Sequence, residues 1–163
     1  TINFLTEHSI TDFEGLTQLS KVAAENHNEI SASIKTVEVK IKNLNELKKH
    51  LFNYSKTVKV YADYRNSGFS IDFYNQNSSD LLLHKAAKDA FSAFEGGKLP
   101  SINMINEDLK QLSNEKTKLY DALKKAKVTL RECQIAKGNV ELLLGKANDV
   151  KNQRKKNDTH NRV

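Results

Sequence analysis

Residues 101–145 read SINMINEDLKQLSNEKTKLYDALKKAKVTLRECQIAKGNVELLLG. Within them Ile105, Leu109, Leu112, Lys116, Leu119, Leu123, Ala126, Leu130, Cys133, Lys137, Val140 and Leu144 recur in alternating steps of four and three, broken only by the two lysines. A seven-residue apolar period marks a helix that supercoils against a partner. Ser101, just after the lone Pro100, is the expected N-cap, because its hydroxyl can accept from an orphan N–H of the first turn. Gly145 is the expected C-cap, since glycine tolerates the left-handed conformation that closes a helix.

A matching row lies upstream. Leu16, Ser20, Ala23, His27, Ile30, Ile34, Val37, Ile41 and Leu44 follow the same alternation, with Ser20 and His27 interrupting it near the start. Thr11-Asp12-Phe13-Glu14 has the form of a capping box, with Thr11 as the cap. After Leu44 the row passes to Leu47, Leu51, Tyr54, Val58 and Tyr61, and the two successive steps of three form a stammer. Nothing breaks this helix before Ser67-Gly68, so it spans about 80 Å at 1.5 Å per residue.

Between the two rows the composition changes. Phe69, Phe73, Tyr74, Phe91 and Phe94 crowd together, and Asn75-Gln-Asn-Ser-Ser79 reads as a polar break. Ser79 or Asp80 caps a short helix that Gly96-Gly97 ends. The expected fold is all-α: two long helices in an antiparallel coiled coil, joined by a small helical cap and followed by a disordered basic tail. The segments are 1–67 (a short N-terminal stretch and the first long helix), 68–100 (the cap), 101–145 (the second long helix) and 146–163 (the tail). The first helix is the longer, so its early residues must be covered by residues 1–10, by a partner, or by a second copy in a homodimer.

Composition agrees with a rod. The 163 residues include one Pro, six Gly, one Cys and no Trp, with 38% hydrophobic, 7% aromatic and 28% charged residues. So little Pro and Gly argues against a β-sandwich or barrel, whose turns consume them. A single cysteine excludes an intramolecular disulfide framework and fits a reducing, cytoplasmic setting. No apolar run reaches the ~18 residues of a membrane span, and no secretory leader opens the chain.

Catalytic patterns are scarce. His8, His27, His50, His84 and His160 include no pair three or four apart, the spacing a helical metal site needs. His27 falls on the core row and reads as a helix-interface side chain. Cys133 falls there too and reads as a small buried hydrophobe, with no neighbouring base to activate it. No glycine-rich nucleotide cradle occurs. The expectation is a non-enzymatic chain with no metal and no cofactor.

The cations are more informative. Six basic side chains against two acidic ones give residues 146–163 a charge of +4, out of +6 for the whole chain. Lys151, Arg154, Lys155 and Lys156 concentrate it, and such a segment binds phosphates through counterion release. A second set, Lys56, Lys59, Arg65, Lys85, Lys88 and Lys98, is interleaved with Tyr54, Tyr61 and Tyr64. Aromatics on which bases stack, beside cations that track phosphates, suit single-strand binding. The competing reading is that Tyr54 and Tyr61 pack the cap with their hydroxyls at its rim.

One ordered series of residues resembles a known family. It comprises Asn53-Tyr-Ser-Lys-Thr57, Val60-Tyr-Ala-Asp-Tyr-Arg65, Gly68-Phe-Ser70, Leu83-His-Lys-Ala-Ala-Lys88 with Ala90-Phe91, Lys98-Leu-Pro-Ser101, Glu115-Lys116 with Leu119-Tyr120, and Lys137-Gly-Asn-Val-Glu-Leu-Leu-Leu144. In this order the pieces resemble the C-terminal helical region of relaxases, the mobilisation nucleases of conjugative and mobilisable elements of Gram-positive bacteria. The likeness covers about residues 1 to 145 and is most specific over 53–101. It departs from the family pattern at Phe69, where Tyr is common, and in the polar 75–79 segment.

The resemblance implies a catalytic Tyr and a His-bound divalent metal in a nuclease domain upstream of Thr1. No tyrosine of this chain matches that nucleophile. It also implies a role in DNA transfer: binding DNA of the origin-of-transfer region, or docking a conjugation accessory protein or the coupling ATPase. The alternative is a purely structural coiled-coil spacer or dimerisation module without DNA binding.

Overall fold

The computed structural model describes residues 1–92 and 99–160, with side chains through Gly145 and at 147–148. Its elements are α1 (Ile2–Glu7), α2 (Phe13–Asn66), α3 (Ile71–Ser92) and α4 (Ile102–His160), with no strand among the described residues. The chain is all-helical. It divides into two compact units, one made of Thr1–Ile34 with Lys118–Val163 and the other of Lys35–Thr117.

The first unit buries Leu16, Ala23 and Ile34 of α2 with Ala126, Cys133 and Ala136 of α4. All but Ala136 belong to the expected rows. Small residues dominate because a side chain between two helices is enclosed on few sides, and only a short one is hidden completely. α1 joins this unit through a hydrogen bond from Asn139 Nδ2 to Thr1 Oγ1 at 2.6 Å. It ends on Ser9, whose φ of 53° lets Ser9 N–H reach Thr6 O and Ile10 N–H reach Leu5 O. That pair of bonds satisfies two orphan carbonyls of the last turn.

The start of α2 differs from the capping box centred on Thr11. Asp12 is the cap, and its Oδ1 accepts from Gly15 N–H at 2.7 Å. A carboxylate is the stronger acceptor and also meets the positive end of the helix, so the boundary falls one residue later.

The second unit contains the remainder of α2, α3 and the start of α4. Val37, Thr57, Leu81, His84, Ala87 and Ile105 are buried there. α2 closes as expected at Ser67-Gly68. Gly68 takes φ 68°, Gly68 N–H donates to Arg65 O, and Phe69 N–H donates to Tyr64 O. The Phe69 ring then packs edge-on against Tyr64 at 5.2 Å, the apolar contact that accompanies this closure. Ser70 caps α3 by accepting from Phe73 N–H, and Ser101 caps α4 by accepting from Met104 N–H.

Three expectations are corrected. The polar stretch 75–79 does interrupt the helix, but at the single residue Asn77 (φ −123°, ψ 20°), where two helical segments of α3 meet across a kink, so the second segment begins ahead of Ser79 and Asp80, the expected caps. Asn77 Nδ2 donates to Phe73 O at 3.0 Å, which satisfies the carbonyl that a regular turn would have engaged through a backbone N–H. Ser79 and Asp80 lie within the segment that follows Asn77. α4 does not stop at Gly145; its helical backbone continues to His160. Glycine inside a helix costs only about 1 kcal/mol against alanine, and the Lys, Ala, Gln and Arg that follow are good helix formers. Finally, Leu144, placed on the core row, is 49% exposed. The expected stop at Gly96-Gly97 lies outside the described residues.

The two kinds of glycine give opposite predictions. Gly68→Ala forces a Cβ into the left-handed region and should destabilise the chain by about 1–2 kcal/mol in urea denaturation. Gly145→Ala, in open space on a helix, should stabilise it by about 0.5–1 kcal/mol. A loss of stability in Gly145→Ala would return the helix end to residue 145.

Candidate nucleic-acid interface

Late in α2, Tyr54, Thr57, Tyr61 and Tyr64 follow one another by three, four and three residues, which sets all four on one face. Leu81, His84 and Ala87 of α3 are buried in the same unit. The burial row therefore runs through Thr57 (2% exposed) and not through Val58 (43% exposed). Hydropathy favours the valine. The four–three stepping from Leu47 points to the valine as well, yet the threonine is the hidden side chain, its hydroxyl donating to Asn53 O at 2.8 Å.

That hydroxyl also meets His84. Nδ1 and Thr57 Oγ1 are 3.2 Å apart in a buried hydrogen bond. With the threonine proton committed to Asn53, Nδ1 carries the hydrogen and Oγ1 accepts it. The imidazole lies between two phenol rings, stacked on Tyr54 (centroids 4.9 Å, planes 25° apart) and on Tyr61 (4.3 Å, 11°). Phe91 meets Tyr54 edge-on at 5.4 Å. Burial, and then the nearby Lys88 charge, hold the His84 pKa below its ordinary 6.5. The ring is neutral at pH 7, as a stacked and desolvated imidazole must be.

Tyr64 extends the cluster toward Phe73 (6.1 Å, 22°) and Tyr74 (6.1 Å, 49°). Between α2 and α3 these rings border a groove of about 390 Å³, with Tyr61, Tyr64, Tyr74 and Leu82 as its walls and Lys85 and Lys88 among its lining. Lys88 Nζ stands 5.5 Å from the centroid of the Tyr61 ring, within cation–π range. The carboxylate of Asp89 lines the groove as well.

The sequence-derived cations therefore separate. Lys85 and Lys88 border the groove. Arg65 is exposed in the last turn of α2. Lys56 and Lys59 are exposed and lie some 140–200° around α2 from Tyr61, at 100° per residue; Lys56 Nζ rests 4.5 Å from the Phe52 ring centroid instead. Lys151, Arg154, Lys155 and Lys156 fall on the last turns of α4, and Lys98 lies outside the described residues. Tyr54 and Tyr61 are half-buried packing residues as well as neighbours of the cations. His84, Thr57 and Tyr74 were missed. For His84 the signal lay in its three-residue spacing from Leu81 and Ala87, which puts it on their face.

Elsewhere, Cys133 is fully buried, and burial followed by the Glu132 charge pushes its thiol pKa up, keeping it protonated. Among the described residues no group of three or more His, Cys, Asp or Glu is placed to hold a metal ion. No helix among them is long and apolar enough to cross a membrane. Comparison with protein-family models, curated proteins and solved structures finds no match to the chain.

The His84 environment fixes the sign of a pH response. The folded pKa is below the unfolded value of 6.5, so acid loads the proton onto the unfolded chain first. Stability is full above pH 6.5 and declines as the pH falls below it. Urea midpoints at pH 8 and pH 5 should differ in that direction, and the difference should shrink in His84→Asn. At pH 8, Thr57→Val should cost about 1–3 kcal/mol by leaving the buried Nδ1–H without an acceptor.

Proposed function

We propose that this chain is a non-catalytic nucleic-acid-binding helical module and serves as the C-terminal region of a DNA-transfer relaxase. The observation that carries the binding reading is the groove, where tyrosine rings, two leucines and two lysines meet. The assignment to relaxases rests on the ordered residue series, whose most specific stretch, 53–101, contributes Tyr61, Tyr64, Lys85 and Lys88 to the groove. In this reading the module holds DNA of the origin-of-transfer region, or docks transfer proteins, while the chemistry belongs to a nuclease domain. The cations of the last turns of α4 add contacts to the phosphate backbone that carry no sequence choice.

The same reading includes an antiparallel coiled-coil pairing of α2 with α4 in the second unit. Two cross-helix contacts support it. Lys116 Nζ reaches Glu38 Oε1 at 2.8 Å, and Lys48 Nζ donates to Asn106 Oδ1 at 2.7 Å. Ten residues forward along α2 correspond to ten residues back along α4.

A second reading, a structural spacer or dimerisation rod, is favoured by the four–three rows, whose positions are buried or half-buried almost throughout. Titration of labelled single- and double-stranded DNA at several salt concentrations separates the two. Binding should weaken steeply with salt, by about 0.7–0.9 log units per tenfold increase in salt for each phosphate contacted. No binding at low salt would leave the spacer.

A further inference from the structure

We infer that the groove between α2 and α3 is a subsite for one unstacked base and its adjoining phosphate in single-stranded nucleic acid. This rests on the reading that the chain binds nucleic acid, and it goes further by naming the strand class and the residues.

The argument begins with which aromatic surface is free. Tyr54 and Tyr61 each give a face to His84, so those faces are spent on the core. Tyr74 is different. The residue is 38% exposed, and its ring is tilted 49° from Tyr64 rather than stacked on it. Leu82, 57% exposed, lines the same groove and extends its apolar surface. An accessible ring beside an aliphatic surface offers a planar heterocycle a place to stack, worth about 1–3 kcal/mol per base.

The cations come next. Lys85 and Lys88 are one turn apart on α3, both exposed, and both line the groove. Asp89 opposes them, and His84 is neutral, so the lining carries a net single positive charge. That suits one phosphate beside one base, rather than a polyanionic surface. The volume, about 390 Å³, is that of a small-ligand pocket. A duplex keeps its base faces stacked and offers none to such a pocket, whereas a single strand can splay a base into it.

The test uses the full chain, fluorescence anisotropy and three labelled 12-mers: oligothymidylate, an abasic strand of the same length, and a duplex. The wild type should bind oligothymidylate about tenfold more tightly than the abasic strand, and more tightly than the duplex. Tyr74→Ala should erase the margin over the abasic strand, and Tyr74→Phe should keep it. Lys85→Gln with Lys88→Gln should weaken binding more than Lys56→Gln with Lys59→Gln, a charge-matched pair away from the groove. Should Tyr74→Ala unfold, as circular dichroism would reveal, the two exposed lysine pairs decide. Equal affinity for abasic and base-bearing strands, tighter binding of the duplex, or equal effects of the two lysine pairs would overturn the subsite while nucleic-acid binding stands. Loss of all wild-type binding at low salt would overturn both.

Discussion

A helix with a single narrow apolar row has one way to hide it from water, which is to lay it against a matching row. That constraint governs this chain. Neither α2 nor α4 carries enough apolar surface to be enclosed on all sides, so most of the large row residues are only half-buried. The fully hidden positions fall chiefly to alanine, cysteine and a few larger residues such as Leu16 and Ile105. Stability in such a structure is spread along the helices in many small increments. Turn closures then matter more than they would in a thick core, because each fixes where a row begins or ends.

The rows were the legible part of the sequence. Ile34, Val37, Ile105, Ala126 and Cys133 could be placed because their period reports a physical face, whatever the neighbouring residues are. Polar segments were read less well, and for a common reason. The 75–79 stretch reads as a polar break of five residues, yet the helical backbone is interrupted at Asn77 alone, whose side-chain amide takes over the Phe73 carbonyl. Gly145 looked like a cap, yet nothing required a left-handed residue there. Thr11 and Asp12 competed for one cap, and a single sequence does not show which side chain the backbone will meet. In each case the outcome depended on local hydrogen bonding, which residue type alone leaves open.

The candidate site was legible in half. The association of lysines with tyrosines was visible, but helical phase divided the lysines: Lys85 and Lys88 share the groove with the rings, while Lys56 and Lys59 lie well around α2 from them. Tyr74 and His84 were invisible for opposite reasons. The first reads only as one of several crowded aromatics, next to the polar 75–79 stretch. The second is a polar residue in the core, and hydropathy discards such residues. Its hydrogen bond to Thr57 is what makes that burial tolerable. Aromatic packing and ligand contact also divide the same cluster between them: Tyr54 and Tyr61 clasp the imidazole, Tyr61 also walls the groove, and the tilted Tyr74 ring is the one proposed to meet a base.

The tyrosine cluster has a spectroscopic consequence. The chain has five tyrosines and no tryptophan, and four of the five, Tyr54, Tyr61, Tyr64 and Tyr74, belong to the second unit, with only Tyr120 in the first. Near-ultraviolet absorbance and intrinsic emission therefore report on one unit almost alone, without any label. Far-ultraviolet ellipticity, by contrast, sums over every helix. Comparing the two signals during unfolding tells whether the groove-bearing unit melts together with the rest of the chain or apart from it.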